Sequence, residues 1–317
     1  MTEAPLISIC IPAYKRITFL ERLLNSISLQ TFKDFEIIMT DDSPDDAVRD
    51  LCRQYADRIS IDYYRNPVPL GTPENWNEGI RKARGEWIKI MHDDDWFADE
   101  KSLQGYAECI SLNPSASFIF SAYRNVYLEL NKSKEVYLNP FRYKALLKNP
   151  VTLFSSNIIG PPSVVLHRND NSLMYDKNIK WVVDIEFYIR WLNHNNNQAI
   201  YLSRVLVNVG IGKEQVTQDC FRLRKVEIPE NFYLFNKVGY SCLNNILIYD
   251  AWWRSMRNLE IKNIDDIINS GYNGNIPKAI RSMINWQSRI PHSLLMVGPI
   301  SKSFMFLNYM FNLKRLA

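Results

Sequence analysis

The chain has 317 residues, 46% of them hydrophobic and 23% charged, with a formal net charge of +4. Those proportions describe a globular protein with a core large enough to need no disulfide or structural metal, and they exclude a disordered or collagen-like chain. The five cysteines are odd in number and none lie at C-x-x-C spacing, which argues against a disulfide framework or a zinc site and for a reducing, cytoplasmic setting.

The opening MTEAPLISICIPAY has an acid, no basic stretch and an apolar run ended by Pro12, so it reads as neither a secretory signal nor a membrane span. LISICIP (6–12) is a short buried strand. Residues 17–29 place Phe19, Leu20, Leu23, Leu24 and Ile27 at helical spacing. FEIIMT (35–40) is a second strand, followed directly by Asp41 and Asp42, and Asp45 to Tyr55 reads as a helix. ISIDYYRN (59–66) is a third strand. In GTPENWNEGIRKARG (71–85), Thr72 is placed to cap a helix with Pro73 at its first position, and Gly85 to end it. EWIKIMH (86–92) is a fourth strand and runs into Asp93, Asp94 and Asp95. A helix over 101–112 and a strand over 117–123 complete this half.

Such alternation predicts an α/β fold with a mostly parallel central sheet and helices on both faces. Ligands in these sheets sit beyond the carboxyl ends of the strands, which is where both acidic clusters fall. The second half is less regular. Residues 126–160 read as loop plus a short helix, 164–168 and 199–209 as strands, and 184–194 as a helix. From Pro229 onward the pattern is helical and aromatic, beyond a boundary near 215–230.

Adjacent carboxylates at a strand end favour a hard divalent cation, Mg²⁺ or Mn²⁺, completed by substrate phosphates. HDDDW (92–96) therefore suggests a metal–diphosphate site, with a solvated acidic turn as the plainer alternative. Asp41 and Asp42 can accept from a base N–H or ribose hydroxyls, or can cap the helix that follows.

Together IPAYKR (11–16), QTFKDFEIIMTDDSPDD (30–46), the stretch 66–97 and WVVDIEFYIRWL (181–192) resemble family 2 glycosyltransferases of the GT-A fold, in order over roughly residues 5–217. The resemblance implies a GT-A domain over 1–220, with a nucleotide-binding half (1–125) and an acceptor-binding half (126–220), followed by a helical C-terminal region (221–317). It implies an inverting transfer of sugar from a nucleotide-sugar, a UDP-sugar, to a hydroxyl of a glycan or lipid-linked acceptor in bacterial surface-polysaccharide assembly. An ordinary α-linked donor would then give a β-linkage.

Site roles follow from the same resemblance. Pro12, Tyr14 and Arg16 map to the nucleotide, Asp41 or Asp42 to the base, usually uracil, and Asn75 to an added contact. The D-x-D motif holds donor and metal. Aligning on Trp96 puts His92 where the first acid stands and makes Asp94 the metal-binding acid with Asp95 beside it, whereas a literal reading gives Asp93 and Asp95. Asp184 matches the general base, with Glu186 nearby and Val183 where an acid is usual; Asp184 would otherwise be an N-cap. Trp181 stacks on a sugar or packs in the core. Ser163, in GPPS (160–163) on an acceptor-side loop, bonds a sugar, and Lys213, Gln215 and Thr217 are donors in a loop (210–217) that closes over the diphosphate; the alternative for each of these is an ordinary polar loop.

From Ile267 to Ala317 there is no acid, and there are six bases. Residues 276–317 are too interrupted by Pro299 and Lys302 to span a bilayer and suit an anionic membrane surface, peripheral on its inner face. The alternative is a terminal helix packed on the domain or on a second subunit, and sparse bases with no recognised module argue against nucleic acid. Two competing functions are a metal-dependent nucleotidyltransferase, which would want a glycine-rich phosphate loop that IPAYKRITF lacks, and an inactive sugar-nucleotide-binding module.

Overall fold

The computed structural model describes residues 4–170, 172–212 and 222–316. The chain divides into two compact units, Met1–Pro150 with Ile158–Lys213, and Val151–Asn157 with Glu214–Ala317.

The first unit is built on a nine-stranded sheet. β1 (Ile7–Ala13), α1 (Ile17–Ser28), β2 (Phe35–Asp41), α2 (Ala47–Gln54), β3 (Asp62–Arg65), α3 (Glu74–Lys82) and β4 (Trp87–Ile90) follow one another in the chain. The short β5 (Trp96–Phe97), α4 (Ser102–Leu112), β6 (Phe118–Tyr127), β7 (Lys132–Val136), α5 (Pro140–Lys148), β8 (Val165–Arg168), α6 (Val183–His194) and β9 (Ile200–Ile211) complete it. The sheet order is β3-β2-β1-β4-β8-β6-β9-β5, with β7 on β6. The β3-β2-β1-β4 half is parallel throughout. Beyond it β8 runs antiparallel to both β4 and β6, while β9 is parallel to β6.

β1 lies between β2 and β4, so the chain leaves it to one side and returns on the other, which is the switch point where α/β sheets bind ligands. Pairing aligns Ala13 with Asp41 and Cys10 with Ile90. Both acidic clusters therefore emerge at one sheet edge, on either side of the turn that follows β1. The fully buried Ile7, Ile9, Ile11, Ile88 and Trp87 explain why these strands read as continuous apolar runs.

Three local expectations are corrected. Thr72 does not cap α3: the helix begins at Glu74, its cap residue is Pro73, and that cap makes no side-chain bond. Gly85 does not close it either, since the chain turns extended at Ala83. A Cβ on Gly85 would stand 2.6 Å from Ser8 Oγ, so glycine there permits close approach to β1. Within 126–160, β6 runs on to Tyr127 and returns as β7, turning through Asn131 at φ 46°.

The second unit is helical, with helices Arg224–Val238, Ile246–Asn258, Ile264–Asn269, Lys278–Gln287, His292–Leu295 and Gly298–Leu316. Its core gathers Phe154, Phe232 and Phe235 around the buried Trp252, with ring centroids 4.9–5.5 Å from that indole. Arg254 Nη2 donates to Ser155 O at 2.9 Å and ties the short 151–157 segment into this unit.

Candidate active site

The turn after β1 sets the site's geometry. Lys15 (φ 60°) and Arg16 (φ 36°) are both left-handed, a conformation that costs non-glycine residues of order 1–3 kcal/mol each. Lys15 N donates to Ser43 Oγ at 2.7 Å, which ties this turn to the end of β2. The turn brings Arg16 to the acids after β4: its guanidinium lies 2.7 Å from Asp93 and 3.6 Å from Asp94. Tyr14 is exposed, with Lys15 Nζ 5.0 Å from its ring centroid.

The three aspartates are buried and held differently. Burial, and after it the charge of Asp94, pushes Asp93 up to about 7 against the pull of Arg16. Asp95 is raised well above the usual carboxylate range, again by burial first and Asp94 second, although Ser163 and Gly210 N donate to it. Arg22 donates to the Asp94 carbonyl at 2.9 Å and stacks 3.7 Å over Trp96. Beneath them lies Lys89, fully buried in β4, whose ammonium donates to Ser163 O and to Val165 O. Burial pushes Lys89 down to about 7, while Asp95 supports its charge.

His92, Asp94 and Asp95 bring one ligand atom each within 4.8 Å of one another. Burial holds His92 down at about 4, so its imidazole is neutral and able to ligate, and its buried Nε2 has no hydrogen-bond partner. A neutral imidazole and two carboxylates suit a borderline-to-hard divalent ion such as Mn²⁺. The residues present therefore fit the cation that the acidic motif implies.

Asp41 and Asp42 are committed to the loops that follow β2 and β3. Asp41 accepts from Ser43 N at 2.8 Å and from Tyr63 OH at 2.7 Å. Asp42 accepts from Asn66 Nδ2, Leu70 N and Gly71 N at 2.8–2.9 Å, which shapes the 66–71 loop. Neither caps α2, whose cap residue is Asp46 and whose first amide, Ala47 N, donates to Asp45 Oδ1 at 3.2 Å. Asn75, expected to touch the nucleotide, spends its amide on Ala13 O, Thr40 O and Asn66 and braces the ends of β1 and β2. Ser163 is buried: its hydroxyl accepts from His92 N at 3.0 Å and bonds Asp95. Lys213, Gln215 and Thr217 lie outside the described residues.

Asp184 stands in the first turn of α6, half-buried, and the cap residue is Val182, so Asp184 is not an N-cap. Its Oδ1 accepts from Ile185 N at 2.8 Å. Glu186 is buried and gripped through both oxygens by Arg190 at 2.9 and 3.0 Å, and Arg190 also donates to Met174 O. That clamp holds the approach to the helix. Trp181 is half-buried just ahead of it.

An aromatic ladder links Asp184's helix to the acids. Trp76 on α3 lies 4.7 Å from the His92 ring and 5.2 Å from Tyr175, which stacks at 3.9 Å on Phe187, one turn after Asp184. Burial first, then the Asp184 charge, raises the Tyr175 phenol. Burial first, then the Asp95 charge, raises Tyr123. The buried phenol of Tyr188 is raised by burial and then by Tyr175, Asp184 and Tyr123, so it feels both sides.

Arg22 and Lys89 escaped the sequence reading as parts of this site, and Ser163 and Gly210 were read there for other roles. Lys89 had a signal: a lone ammonium in an otherwise apolar strand needs a buried partner. So did Gly210, a glycine inside VLVNVGI, which marks a bulge or close backbone approach. A Cβ at Gly210 would sit 2.3 Å from Asp94 O. Gly210→Ala should therefore displace the aspartate segment, costing about 1–3 kcal/mol of stability and weakening UDP binding. Urea denaturation and calorimetry check this, and unchanged values in both would mean that β9 yields freely.

Residues 8–160 match the glycosyl transferase family 2 profile. That span is similar to the domain of family 2 glycosyltransferases. The chain is 32% identical over 112 residues to the GalNAc(5)-diNAcBac-PP-undecaprenol beta-1,3-glucosyltransferase of Campylobacter jejuni, covering 32% of this chain and 36% of that one. Matches to the first three curated relatives span 38%, 61% and 36% of their lengths, less than two thirds in each case. The fold resembles S. aureus TarS 1-349, crystallised with UDP-GlcNAc, at TM-score 0.56 and 13% identity over 98% of this chain and 90% of that one. It also resembles the Pyrobaculum calidifontis mannosyltransferase PcManGT, crystallised with GDP-Man and Mn2+, at TM-score 0.57 and 13% identity over 99% and 88%. The fold is thus of the GT-A kind, with a helical region later in the chain.

Proposed function

We propose that the protein moves a sugar from a UDP-sugar to a hydroxyl of a glycan or lipid-linked acceptor, with inversion at the anomeric carbon. The observation that supports this reading is the ladder from His92 through Trp76 and Tyr175 to Phe187, which connects the helix that carries Asp184 in its first turn to the segment that carries the buried acids. Mn²⁺ or Mg²⁺ would be held by His92, Asp94 and Asp95, with Asp93 left to Arg16. Bound there, the ion would supply the positive charge that stabilises a departing diphosphate.

The chain's own residues do the rest. Pro12 at the end of β1, with Tyr14 and Arg16 in the turn after it, receives the nucleotide, and the Arg16 guanidinium shares a diphosphate oxygen. Asp41 and Asp42 fix the wall against which the base rests. Asp184 takes the proton from the acceptor hydroxyl as that oxygen attacks, at a helix N-terminus where the backbone dipole favours negative charge. Glu186, held by Arg190, positions the helix. One base opposite the leaving group implies inversion, by the same facial logic that separates the two carboxyl groups of inverting glycosidases. A peripheral place on the inner face of the cell membrane would suit a lipid-linked acceptor.

The test is nucleotide release over a panel of nucleotide-sugars, with and without Mn²⁺. A slow, metal-stimulated release of UDP from one UDP-sugar is expected even without acceptor. Pyrophosphate production from a nucleoside triphosphate and a sugar phosphate would instead identify a nucleotidyltransferase, and binding without turnover would identify an inactive module.

A further inference from the structure

The C-terminal helix, Gly298–Leu316, is inverted in polarity. Its buried side is largely polar: Ser301, Asn308 and Asn312 are fully or nearly fully buried beside Met305. Each has partners there. Ser301 Oγ accepts from Trp253 Nε1 and from Arg257 Nη1, both at 3.1 Å. Asn308 accepts from Tyr249 OH at 2.6 Å and donates to Ser282 at 3.0 Å. Asn312 donates to the Tyr249 and Ser282 oxygens at 3.1 and 3.0 Å.

The outward side carries the large apolar groups. Phe306, Leu307, Met310 and Phe311 are 48%, 55%, 49% and 53% exposed. Their i, i+1, i+4, i+5 spacing makes one continuous stripe. A helix that spends its amides inward and its phenylalanines outward is not built to face water alone. The preceding turn adds exposed Leu294, Met296 and Val297.

The charges nearby choose the occupant. Lys278, Arg281, Arg289 and Lys302 are all exposed, Lys302 one turn before Phe306 on the same stripe. The sequence has no Asp or Glu after Asp266. A second copy meeting this face through a two-fold axis would set Lys302 and its stripe against the same basic stripe. An anionic lipid surface supplies both an apolar interior for the stripe and phosphates for the bases. No helix among the described residues is long and apolar enough to cross a membrane.

We propose that Phe306, Leu307, Met310 and Phe311 dock the terminal helix flat on an anionic bilayer, with Lys302 and its basic neighbours at the headgroups. This inference uses no residue of the sugar-transfer site, so it stands or falls independently of that reading. The test is co-sedimentation of the full chain with vesicles of phosphatidylcholine alone, or of phosphatidylcholine with phosphatidylglycerol. Binding at least about tenfold tighter to the anionic vesicles, weakened by salt, is expected from the bases. F306S/M310S, which alters only outward positions, should lose that binding while keeping its melting temperature and its nucleotide affinity. K302E should weaken it in anionic vesicles alone. Failure to sediment with anionic vesicles, equal binding by F306S/M310S, or a wild-type dimer in ultracentrifugation that this variant dissolves would each overturn the proposal.

Discussion

Asp184→Asn should lower sugar transfer by about 10²–10⁴-fold, the range a positioned general base contributes, and leave UDP affinity close to wild type. The substitution removes one proton-accepting oxygen and little else. Asparagine keeps an oxygen that can accept from Ile185 N, so the first turn of α6 is preserved. Asp184 also lies one helical turn before Phe187, at the far end of the ladder from His92, so the donor side should not sense the change directly. The two readouts are the initial rate of UDP release with acceptor present and calorimetric titration with UDP. Loss of rate with intact UDP binding is the signature of a base. If the variant turns over at near wild-type rate, the proton is taken elsewhere. If rate and UDP affinity fall together, Asp184 supports the fold of the site instead. Glu186 is a poor substitute base, because both of its oxygens are already occupied by Arg190.

Much of the first unit could be read in advance because parallel strands are buried on both faces. Ile7, Ile9, Ile11, Ile37, Ile38 and Ile88 leave no polar alternation to confuse the pattern. The acids were legible for a different reason: a carboxylate just past an apolar run has to lie at a strand's carboxyl end. The hairpin strand β7 was hidden because KSKEV is almost wholly exposed and carries no apolar period. The roles of Asn75, Ser163 and Glu186 were hidden because a side chain's sequence neighbours do not name its hydrogen-bond partners. Asn75 looks like a ligand contact on a helix N-terminus, yet its partners Ala13 and Thr40 lie 62 and 35 residues away. Ser163 reaches His92 across 71 residues. In the terminal helix, composition announced bases and aromatics, but only the structure shows that the asparagines point in and the phenylalanines out.

Asp94→Ala should abolish the Mn²⁺-dependent part of UDP affinity, a fall of at least about 100-fold, since losing even an outer partner of a metal ligand costs roughly 10–100-fold. Affinity for uridine, which has no diphosphate, should hardly change. The comparison that gives this weight is Asp93→Asn. Asp93 sits 2.7 Å from Arg16 and outside the His92, Asp94 and Asp95 group, whose three ligand atoms lie within 4.8 Å. Its loss should free Arg16 and weaken diphosphate binding with or without Mn²⁺, leaving the metal increment in place. The two variants therefore separate by what Mn²⁺ still adds. Calorimetry with UDP in Mn²⁺ and in EDTA measures that difference for each. An increment that vanishes in Asp93→Asn and survives in Asp94→Ala would move the cation onto Asp93 and Asp95, the literal D-x-D spacing. In that case His92 would be a packed core histidine facing Trp76, its buried nitrogen left to a water.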